Sequence, residues 1–485
     1  MYKVINHSWF RESPVKGMSY VMMFFYFGVL LLLAPAQILS FDSYYYWEWS
    51  RHLDLSYYDG PPMIAYFIKL STLLFGQTLL ALNMVGIAGV AITAWIIYKT
   101  SRLFLNEEAS VIATLLWLFV PLNTLDLLKQ TTYDVPYILF WALTVYCVAN
   151  FIQAQKLSAQ SIKWLYLSGV SVGCMMLSKY SGIILVLALF VFIITTHYRY
   201  LFRSRHFYLS LLLSLIIFSP VIVWNADHNW QSFLFQLATH ARPSITTPWA
   251  AMNHAFFYVI LPSLNFMLLP LVLGLRSVTN YRKTPIPYLC LIICTTFVVF
   301  YLLYSIKNVM VGNWMSPYLI AAALLGGYNF QVYDYRKSTL LLIVVSAIIS
   351  LVIVTNNKPR ISFLIAKGYI YHHLIQRFNV YYPQLPQFVF TTTWSDARML
   401  FFLKNKPAVY TIDMCGTQQN EYAFWSQDFV KSVADKSIKE ALYVDRTNHI
   451  NCVEKYFDQC IQLSPPTYHF KGQDYAIYAY KCTNK

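Results

Sequence analysis

The chain has 485 residues, of which 58% are hydrophobic and only 12% are charged, and its mean hydropathy is +0.47. A soluble protein carries roughly 25% charged residues, so an entirely soluble protein is excluded and an integral membrane domain is predicted. The net charge of +15 does not indicate nucleic-acid binding, because many basic residues lie in short loops between apolar segments, where they set topology and meet anionic lipid.

The first apolar segment ends in a dense aromatic cluster. Residues 41–50 read FDSYYYWEWS and residues 57–63 read YYDGPPM. An Asp at a membrane surface can stay ionised and act as a general base, and aromatic rings beside it lie at the lipid headgroups or stack on sugars. Ala34-Pro35-Ala36 resembles a signal-peptidase site. We nevertheless predict an uncleaved first span, because cleavage would remove the anchor just before Asp42.

Apolar segments long enough to cross a hydrocarbon core of about 30 Å recur along the chain. We predict about eleven transmembrane helices: Tyr20–Ser40, Leu79–Tyr98, Ser110–Leu127, Val135–Phe151, Trp164–Leu177, Ser181–Thr196, Phe207–Trp224, His254–Leu275, Pro287–Ser305, Trp314–Phe330 and Ser338–Thr355. The two aromatic motifs are predicted to lie in a loop, called the aromatic loop. The apolar stretch Pro61–Phe75 follows too closely on this loop, so it is predicted as an interfacial or shallow helix, with a full span as the alternative.

Lys and Arg are concentrated in alternate loops, which predicts a cytoplasmic N-terminus. An odd number of spans then places the C-terminus outside the cytoplasm. In this orientation the acids gather in outer segments: Asp42, Glu48, Asp54, Asp59, Asp126, Asp134 and Asp227. The outer face is therefore the predicted location of an active site.

The composition changes near Asn356, where charged residues, Pro, Asn and Gln become more frequent. We predict a membrane domain over residues 1–355 and a soluble, mixed α/β extracytoplasmic domain over residues 356–485. Strands are predicted at Phe388–Thr391, Pro407–Ile412, Ala441–Val444 and Tyr475–Tyr480, and helices at Ser395–Lys404 and Gln427–Asp435.

The eight cysteines fall into two groups. Cys147, Cys174, Cys290 and Cys294 lie in predicted spans and are expected to be buried apolar residues. The terminal domain contains the other four, an even number that permits two disulfides outside the cytoplasm: Cys415, Cys452, Cys460 and Cys482. Three pairings are possible, and we favour Cys452–Cys460 with Cys415–Cys482. A zinc site is the alternative, although no CxxC spacing is present.

The two aromatic motifs resemble the bacterial branch of the dolichyl-phosphate-mannose protein mannosyltransferase family, glycosyltransferase family 39, whose members include aminoarabinose lipid A transferases. Four further segments match in consistent order: Tyr133–Leu143, Leu177–Gly182, Val223–Trp230 and Asn313–Pro317. The resemblance covers roughly residues 20–330. It implies a polytopic α-helical GT-C fold and an inverting enzyme that uses a polyprenyl-phosphate sugar, such as an undecaprenyl-phosphate sugar. It also implies the periplasmic side of a bacterial inner membrane.

The resemblance also implies roles for single residues. Asp42 matches the family's catalytic acid and Asp134 a second outer-face acid, so both are predicted as catalytic. Lys179 matches a basic residue after a span. The predicted substrate cavity contains five residues: Tyr46, Tyr57, Asp59, Tyr180 and Trp314. Asp134 as a helix cap and Lys179 as an interfacial anchor remain alternatives, as does a headgroup belt for the aromatic residues.

Two positions depart from the family pattern. Ser43 stands where a second acid is usual, and Gly60 stands where a His or Lys usually precedes the paired prolines. The phosphate of the donor leaves with negative charge, so cations should face it. Its binding is therefore predicted to fall on four residues: Lys179, Arg242, His240 and Lys307. No cofactor is predicted with certainty, and a divalent metal remains open because the family's possible metal ligand is missing.

The leading prediction is a glycosyltransferase that acts on a lipid, glycan or protein hydroxyl. Its expected partners are the lipid-linked sugar donor, the acceptor and the bilayer, with no nucleic acid. A transporter or flippase of a lipid-linked sugar is the second hypothesis, but transporters tend to show repeats and midplane charges. A non-catalytic membrane scaffold is the third, because of Ser43 and Gly60.

Overall fold

The computed structural model describes residues 14–154, 157–241, 249, 284–306, 308, 312–333, 336–355, 363–393, 397–412, 420–464, 467–470 and 472–484. Several predictions fall outside these residues, namely the span His254–Leu275 and the residues Arg242, Lys307 and Cys415. His240 lies in a described helix, but its side chain does not belong to the described part.

The described residues up to Thr355 mainly form helices. Their bounds are α1 (Pro14–Leu33), α2 (Phe41–Arg51), α3 (Met63–Phe75), α4 (Leu79–Ser101), α5 (Glu107–Leu118), α6 (Asp134–Gln153), α7 (Ala159–Met176), α8 (Ile183–Thr195), α9 (Arg205–Asp227), α10 (Gln231–Ala241), α11 (Pro285–Ser305), α12 (Tyr318–Tyr333) and α13 (Arg336–Thr355). Polar side chains cap several helix starts: Thr78 accepts a hydrogen bond from Ala81 N–H, and Asn106 accepts one from Ala109 N–H.

Among the described residues, six helices are long and apolar enough to cross a membrane, and up to eight spans result if each of two bent pairs counts as one. The chain is therefore a multi-pass membrane protein, as predicted. The count of eleven spans remains a prediction. One predicted span, Ser110–Leu127, is not a continuous α-helix: α5 ends at Leu118, and a new helical segment, bent by 52°, begins at Pro121. Proline cannot donate the hydrogen bond that a continuous helix requires, but it is well suited to a first helical turn.

The motif Phe41–Ser50 was expected to be a loop, and this expectation is wrong. It forms helix α2, and nine of its eleven residues are buried. A helix that is enclosed on every side has no exposed polar face, so its sequence lacks the periodicity by which surface helices are recognised. Helix α3 follows the aromatic loop, and its 13 residues extend over only about 20 Å. This length is shorter than the hydrocarbon core and suits the predicted shallow helix.

The terminal domain is mixed α/β, as predicted. Its strands are β1 (Phe388–Thr391), β2 (Ala408–Thr411), β3 (Glu440–Asp445), β4 (Gln459–Gln462), β5 (Tyr468–Phe470), β6 (Gln473–Tyr475) and β7 (Tyr478–Thr483). Five of them form a sheet in the order β2-β1-β3-β7-β4, in which β1 is parallel to β2 and β3 and β7 is antiparallel to β3 and β4. The predicted last strand is divided, since β6 pairs with β5 in a separate hairpin.

The described part of the terminal region also contains helices. They are α14 (Phe363–Tyr381), α15 (Glu421–Trp425), α16 (Gln427–Ala434) and the short helix Ile450–Val453. The predicted helix Ser395–Lys404 is a 3-10 helix, Arg398–Phe402, in its described part. Phe390, Phe429 and Phe457 form the aromatic core between the sheet and the helices.

The favoured disulfide pairing is wrong. The structure joins Cys460 to Cys482, which excludes both Cys452–Cys460 and Cys415–Cys482. Strands β4 and β7 place these two residues directly opposite each other in register, where their side chains project from the same face of the sheet. Proximity along the sequence favoured Cys452, but the register decides the pair. Cys452 is also disulfide-bonded.

Candidate active site

Asp42 lies in the first turn of helix α2 and is half-exposed, with 55% of its side chain accessible. Its Oδ1 forms an ion pair with Nη1 of Arg398, a residue of the terminal domain whose side chain is only 8% exposed. The guanidinium also lies over the Phe41 ring, 4.5 Å from its centroid. A carboxylate that is held on one side and open on the other can accept a proton from a bound hydroxyl group.

Asp134 and Lys179 form a second, buried pair. Lys179 Nζ donates to Asp134 Oδ1 at 2.6 Å, and the two side chains are 15% and 2% exposed. Asn313 Nδ2 donates to the other carboxylate oxygen at 3.3 Å. Burial alone would lower the pKa of Lys179, but the Asp134 carboxylate and Tyr133 reverse this effect and raise it. Lys179 is therefore a permanent cation, and its ammonium also lies 4.5 Å from the centroid of the Tyr133 ring.

Asp59 is the third carboxylate of the region. Its Oδ2 accepts a hydrogen bond from the Tyr45 hydroxyl of helix α2. Burial and the nearby charge of Asp42 raise the pKa of Asp59 to about 6, although the Tyr45 hydrogen bond and Arg398 oppose this shift. A carboxyl group with a pKa this close to neutrality is typical of residues that transfer protons.

A cavity of about 190 Å³ brings several of the predicted residues together. It is lined by Asp59, Pro61, Tyr133, Lys179, Tyr180, Ser181, Gln236, Phe300, Tyr301, Tyr304 and Trp314. Four of these were predicted as site residues: Asp59, Lys179, Tyr180 and Trp314. One cation and one carboxylate thus face a space whose walls are mostly aromatic, an arrangement that suits a phosphate group joined to a sugar.

Other predicted residues lie around this cavity. Tyr46 is buried and packs edge-to-face on the lining residue Tyr133, with ring centroids 5.4 Å apart. Tyr57 stacks on Trp49 at 4.0 Å and donates from its hydroxyl to the Trp49 and His52 carbonyl oxygens. These contacts of Tyr57 hold the loop between helices α2 and α3 in place. Asp42 does not line the cavity, but its charge acts on Asp59, Tyr46 and Tyr133.

Ser43, which replaces the family's second acid, has a structural role. It is fully buried, and its hydroxyl oxygen accepts a hydrogen bond of 2.8 Å from Thr131 N–H. This bond ties helix α2 to the loop that precedes Asp134. An ionised acid at this position would be a buried charge.

Sequence reasoning missed two residues of the terminal domain, Arg398 and Glu421, and seven of the eleven cavity residues, including Gln236, Tyr301 and Tyr304. Arg398 contacts Asp42 across a separation of 356 positions, and nothing in its neighbourhood along the chain indicates this contact. Tyr301 and Tyr304 lie at the end of a predicted span, where tyrosines are common in any membrane protein. The signal for all five residues was therefore weak.

The described residues contain no group of three or more His, Cys, Asp or Glu side chains that could hold a metal ion. Two of the acids already have cationic partners, Asp42 with Arg398 and Asp134 with Lys179. Carboxylates with such partners are less available as metal ligands than free ones.

The comparison with known proteins gives one family match. A model of the dolichyl-phosphate-mannose-protein mannosyltransferase family matches residues 59–224, about a third of the chain. A curated relative, lipid A galacturonosyltransferase RgtD from Rhizobium johnstonii, is 26% identical over 220 residues. That alignment covers 45% of this chain and 45% of the relative, so less than half of the length of each protein is matched.

Solved structures match over nearly the whole chain. Apo ArnT from Cupriavidus metallidurans superposes with a TM-score of 0.65 at 14% identity, covering 97% of this chain and 98% of ArnT. ArnT bound to undecaprenyl phosphate gives a TM-score of 0.63. The chain has the GT-C fold. An oligosaccharyltransferase from Archaeoglobus fulgidus is more distant, with a TM-score of 0.51 at 12% identity and coverage of 95% and 72%.

The predicted fold class and family resemblance are thereby confirmed. The family match begins at Asp59 and includes Asp134 and Lys179, so the buried ion pair of this GT-C protein lies in the matched region. Asp42 and Arg398 lie outside it.

Proposed function

We propose that this GT-C protein is an inverting glycosyltransferase that moves a sugar from a polyprenyl-phosphate donor to a hydroxyl group of a lipid. The observation that carries the proposal is the half-exposed Asp42, whose charge acts on Asp59 and Tyr133 in the lining of an aromatic cavity that Lys179 also lines. Such a site offers a proton acceptor and a cation for the leaving phosphate. We assign the reaction to the outer face of the cytoplasmic membrane.

In the proposed step, one glycosidic bond forms and one bond to the donor phosphate breaks. The acceptor oxygen attacks the anomeric carbon and forms the new glycosidic bond, while its proton passes to the Asp42 carboxylate. The bond between the anomeric carbon and the phosphate oxygen breaks, and its electrons stay on the phosphate. The resulting phosphate monoester faces Lys179, which stabilises the negative charge that develops. Attack opposite the leaving group inverts the anomeric centre.

The remaining residues hold this arrangement. Asp134, predicted as catalytic, is better suited to orient Lys179, because its Oδ1 is bonded to the ammonium and its Oδ2 accepts from Asn313. Tyr133, Tyr301 and Trp314 supply aromatic faces to the cavity, and such faces stack on sugar rings.

The comparisons support the choice of substrates. ArnT has been solved with undecaprenyl phosphate, and RgtD is named as a lipid A galacturonosyltransferase. We therefore propose undecaprenyl phosphate as the lipid carrier of the donor and lipid A as the acceptor. Glycan and protein hydroxyls are the other acceptors to be tested.

The reaction can be tested with purified protein, undecaprenyl-phosphate sugars and lipid A. Mass analysis should find lipid A heavier by one sugar residue, and Asp42→Asn should abolish this product. Movement of the donor across a vesicle membrane without any new bond would instead establish a flippase. Neither transfer nor movement, with donor binding retained, would identify a sugar-binding scaffold.

The proposed location requires the N-terminus inside and the terminal domain, residues 356–485, outside. Single cysteines introduced at Ser204 and Asn448 test this topology with a membrane-impermeant thiol reagent. Asn448→Cys should react in intact spheroplasts, whereas Ser204→Cys should react only after lysis. The reverse pattern would invert the topology and remove the site from the outer face.

A further inference from the structure

The terminal domain reaches the residues of the candidate site directly. Arg398, in the 3-10 helix Arg398–Phe402, bonds to Asp42 Oδ1. Among the residues that the structure describes, this is the one hydrogen bond of the Asp42 carboxylate, and Oδ2 accepts none. One oxygen is therefore fixed by the terminal domain, and the other can accept a hydrogen bond from a substrate.

A second contact holds the Asp59 loop. The buried Glu421 accepts a hydrogen bond of 2.5 Å from Tyr58 N–H through its Oε2. The Tyr45 hydroxyl, which donates to Asp59, accepts a hydrogen bond from Glu421 N–H at 3.3 Å. The terminal domain thus contacts Asp42 through the Arg398 guanidinium, and it is linked to Asp59 through the Tyr45 hydroxyl.

The rest of this interface is tightly packed around helix α2. Phe401 stacks on Tyr44 with centroids 4.7 Å apart and meets Trp47 edge-to-face at 4.9 Å. Arg51 donates to the carbonyl oxygens of Lys406 and Pro407, each at 3.0 Å. Arg398 therefore projects from a fixed support, and its guanidinium is confined between Phe41 and Asp42.

We propose that Arg398 is a positioning residue for Asp42 and that the terminal domain thereby completes the active site. The inference rests on the proposed function. Arginine suits this task because its planar guanidinium is always charged and bonds carboxylates in a fixed geometry. By holding Oδ1, Arg398 directs Oδ2 towards the acceptor.

Arg398 also offsets the negative charge around Asp42. The titratable and charged groups whose charges act together here are Asp59 on the aromatic loop, Tyr46 on helix α2, Tyr133 before helix α6, and Arg398 itself. Without the guanidinium, Asp42 would face Asp59 with no compensating cation from the terminal domain. Arg398 lowers the pKa of Asp59 and Asp42 raises it, so loss of the guanidinium should raise the pKa of Asp59 and leave the two carboxyl groups without their shared cation.

The test compares Arg398→Gln, Arg398→Lys and the matched control Arg377→Gln in the full-length protein. Arg377 lies in the same domain but donates to the Thr467 carbonyl oxygen. Arg398→Gln should lower kcat by roughly 10- to 100-fold, leave the donor KM within about twofold, and shift the acid limb of the pH–rate profile to higher pH. Arg398→Lys should restore part of the rate, and Arg377→Gln should behave as the wild type.

Two results would overturn the inference. A raised donor KM with unchanged kcat would make Arg398 a donor ligand, and a loss of rate without a shifted pH profile would make it a structural interface residue. If the wild-type chain transfers no sugar, the proposed function fails by itself. The Asp42–Arg398 coupling is then measured from the thermal stabilities of Asp42→Asn, Arg398→Gln and the double variant, in which strictly additive effects would contradict it.

Discussion

The two carboxylate–cation pairs of the molecule differ in burial and in origin. Asp134 and Lys179 lie within the membrane domain, and both are largely buried. Asp42 is half-exposed, and its partner Arg398 comes from the terminal domain. A pair in which both partners are buried is costly to break, because the remaining charge has no solvent. Asp42 is accessible to water, so its carboxylate can bind a substrate hydroxyl group at lower cost. The Asp134–Lys179 pair therefore suits a cation held in a fixed position, and the Asp42–Arg398 pair suits proton transfer.

The largest expected effect is at the half-exposed carboxylate. Asp42→Asn keeps size and hydrogen bonding but removes the base, so kcat should fall by roughly 10²- to 10⁴-fold, while binding of the donor is largely retained. Single-turnover transfer and donor binding by the purified variant measure the two quantities. Near-normal transfer would remove Asp42 from the mechanism and direct attention to Asp59.

The Asp134–Lys179 pair should contribute more to thermal stability than the Asp42–Arg398 pair. Lys179→Met leaves the buried Asp134 carboxylate without its cation and should cost about 3–5 kcal/mol, whereas Arg398→Gln leaves the half-exposed Asp42 carboxylate in contact with water and should cost less. Thermal unfolding in detergent compares the two variants. The double variant Lys179→Met/Asp134→Asn serves as the control and should recover much of the loss. Equal destabilisation by both single variants would contradict the distinction between the pairs.

Use of the phosphate-linked sugar donor should depend on Lys179 and Arg242. Lys179→Ala and Arg242→Ala are each expected to lose a charge-assisted contact worth roughly 1.5–3 kcal/mol, seen as a higher donor KM. Because Gly60 replaces the family's basic residue, at least one of the two should be indispensable. Full activity and donor affinity in both single variants and the double variant would place the phosphate site elsewhere.

The smallest effect concerns Asp59. Its pKa of about 6 is raised above the ordinary value of about 3.8–3.9. Folding therefore favours the protonated form, and this stabilising contribution is present at low pH and lost as the pH rises through about 6. Asp59→Asn should reduce the loss of stability between pH 4 and pH 7.5 by about 1–2 kcal/mol. An unchanged dependence of thermal stability on pH would show that Asp59 titrates normally.

Most of the membrane helices could be predicted from the sequence, because long apolar segments have few alternatives in a bilayer. The predicted spans Leu79–Tyr98 and Val135–Phe151 differ from helices α4 and α6 by at most three residues at either end. Helix α2 could not be predicted, because nine of its eleven residues are buried and its sequence therefore lacks an alternation of apolar and polar faces. The break at Pro121 was missed because residues 111–122 are apolar except for Thr114.

The site could be predicted only where its residues lie in local motifs. Asp59, Lys179 and Tyr180 belong to motifs and line one cavity. Arg398 and Glu421 depend on how the terminal domain docks, and no local pattern encodes this arrangement. The disulfide followed the same rule: Cys460 and Cys482 are 22 positions apart, and only the register of β4 and β7 brings them together.

The contact between Asp42 and Arg398 also has a consequence for biosynthesis. Asp42 is synthesised 356 residues before its partner Arg398. A nascent or prematurely terminated chain can carry every membrane helix and still lack the arginine that fixes the base. With the proposed function and topology, catalysis would begin only after the terminal domain has been exported and folded, so incomplete chains would not consume the lipid-linked sugar.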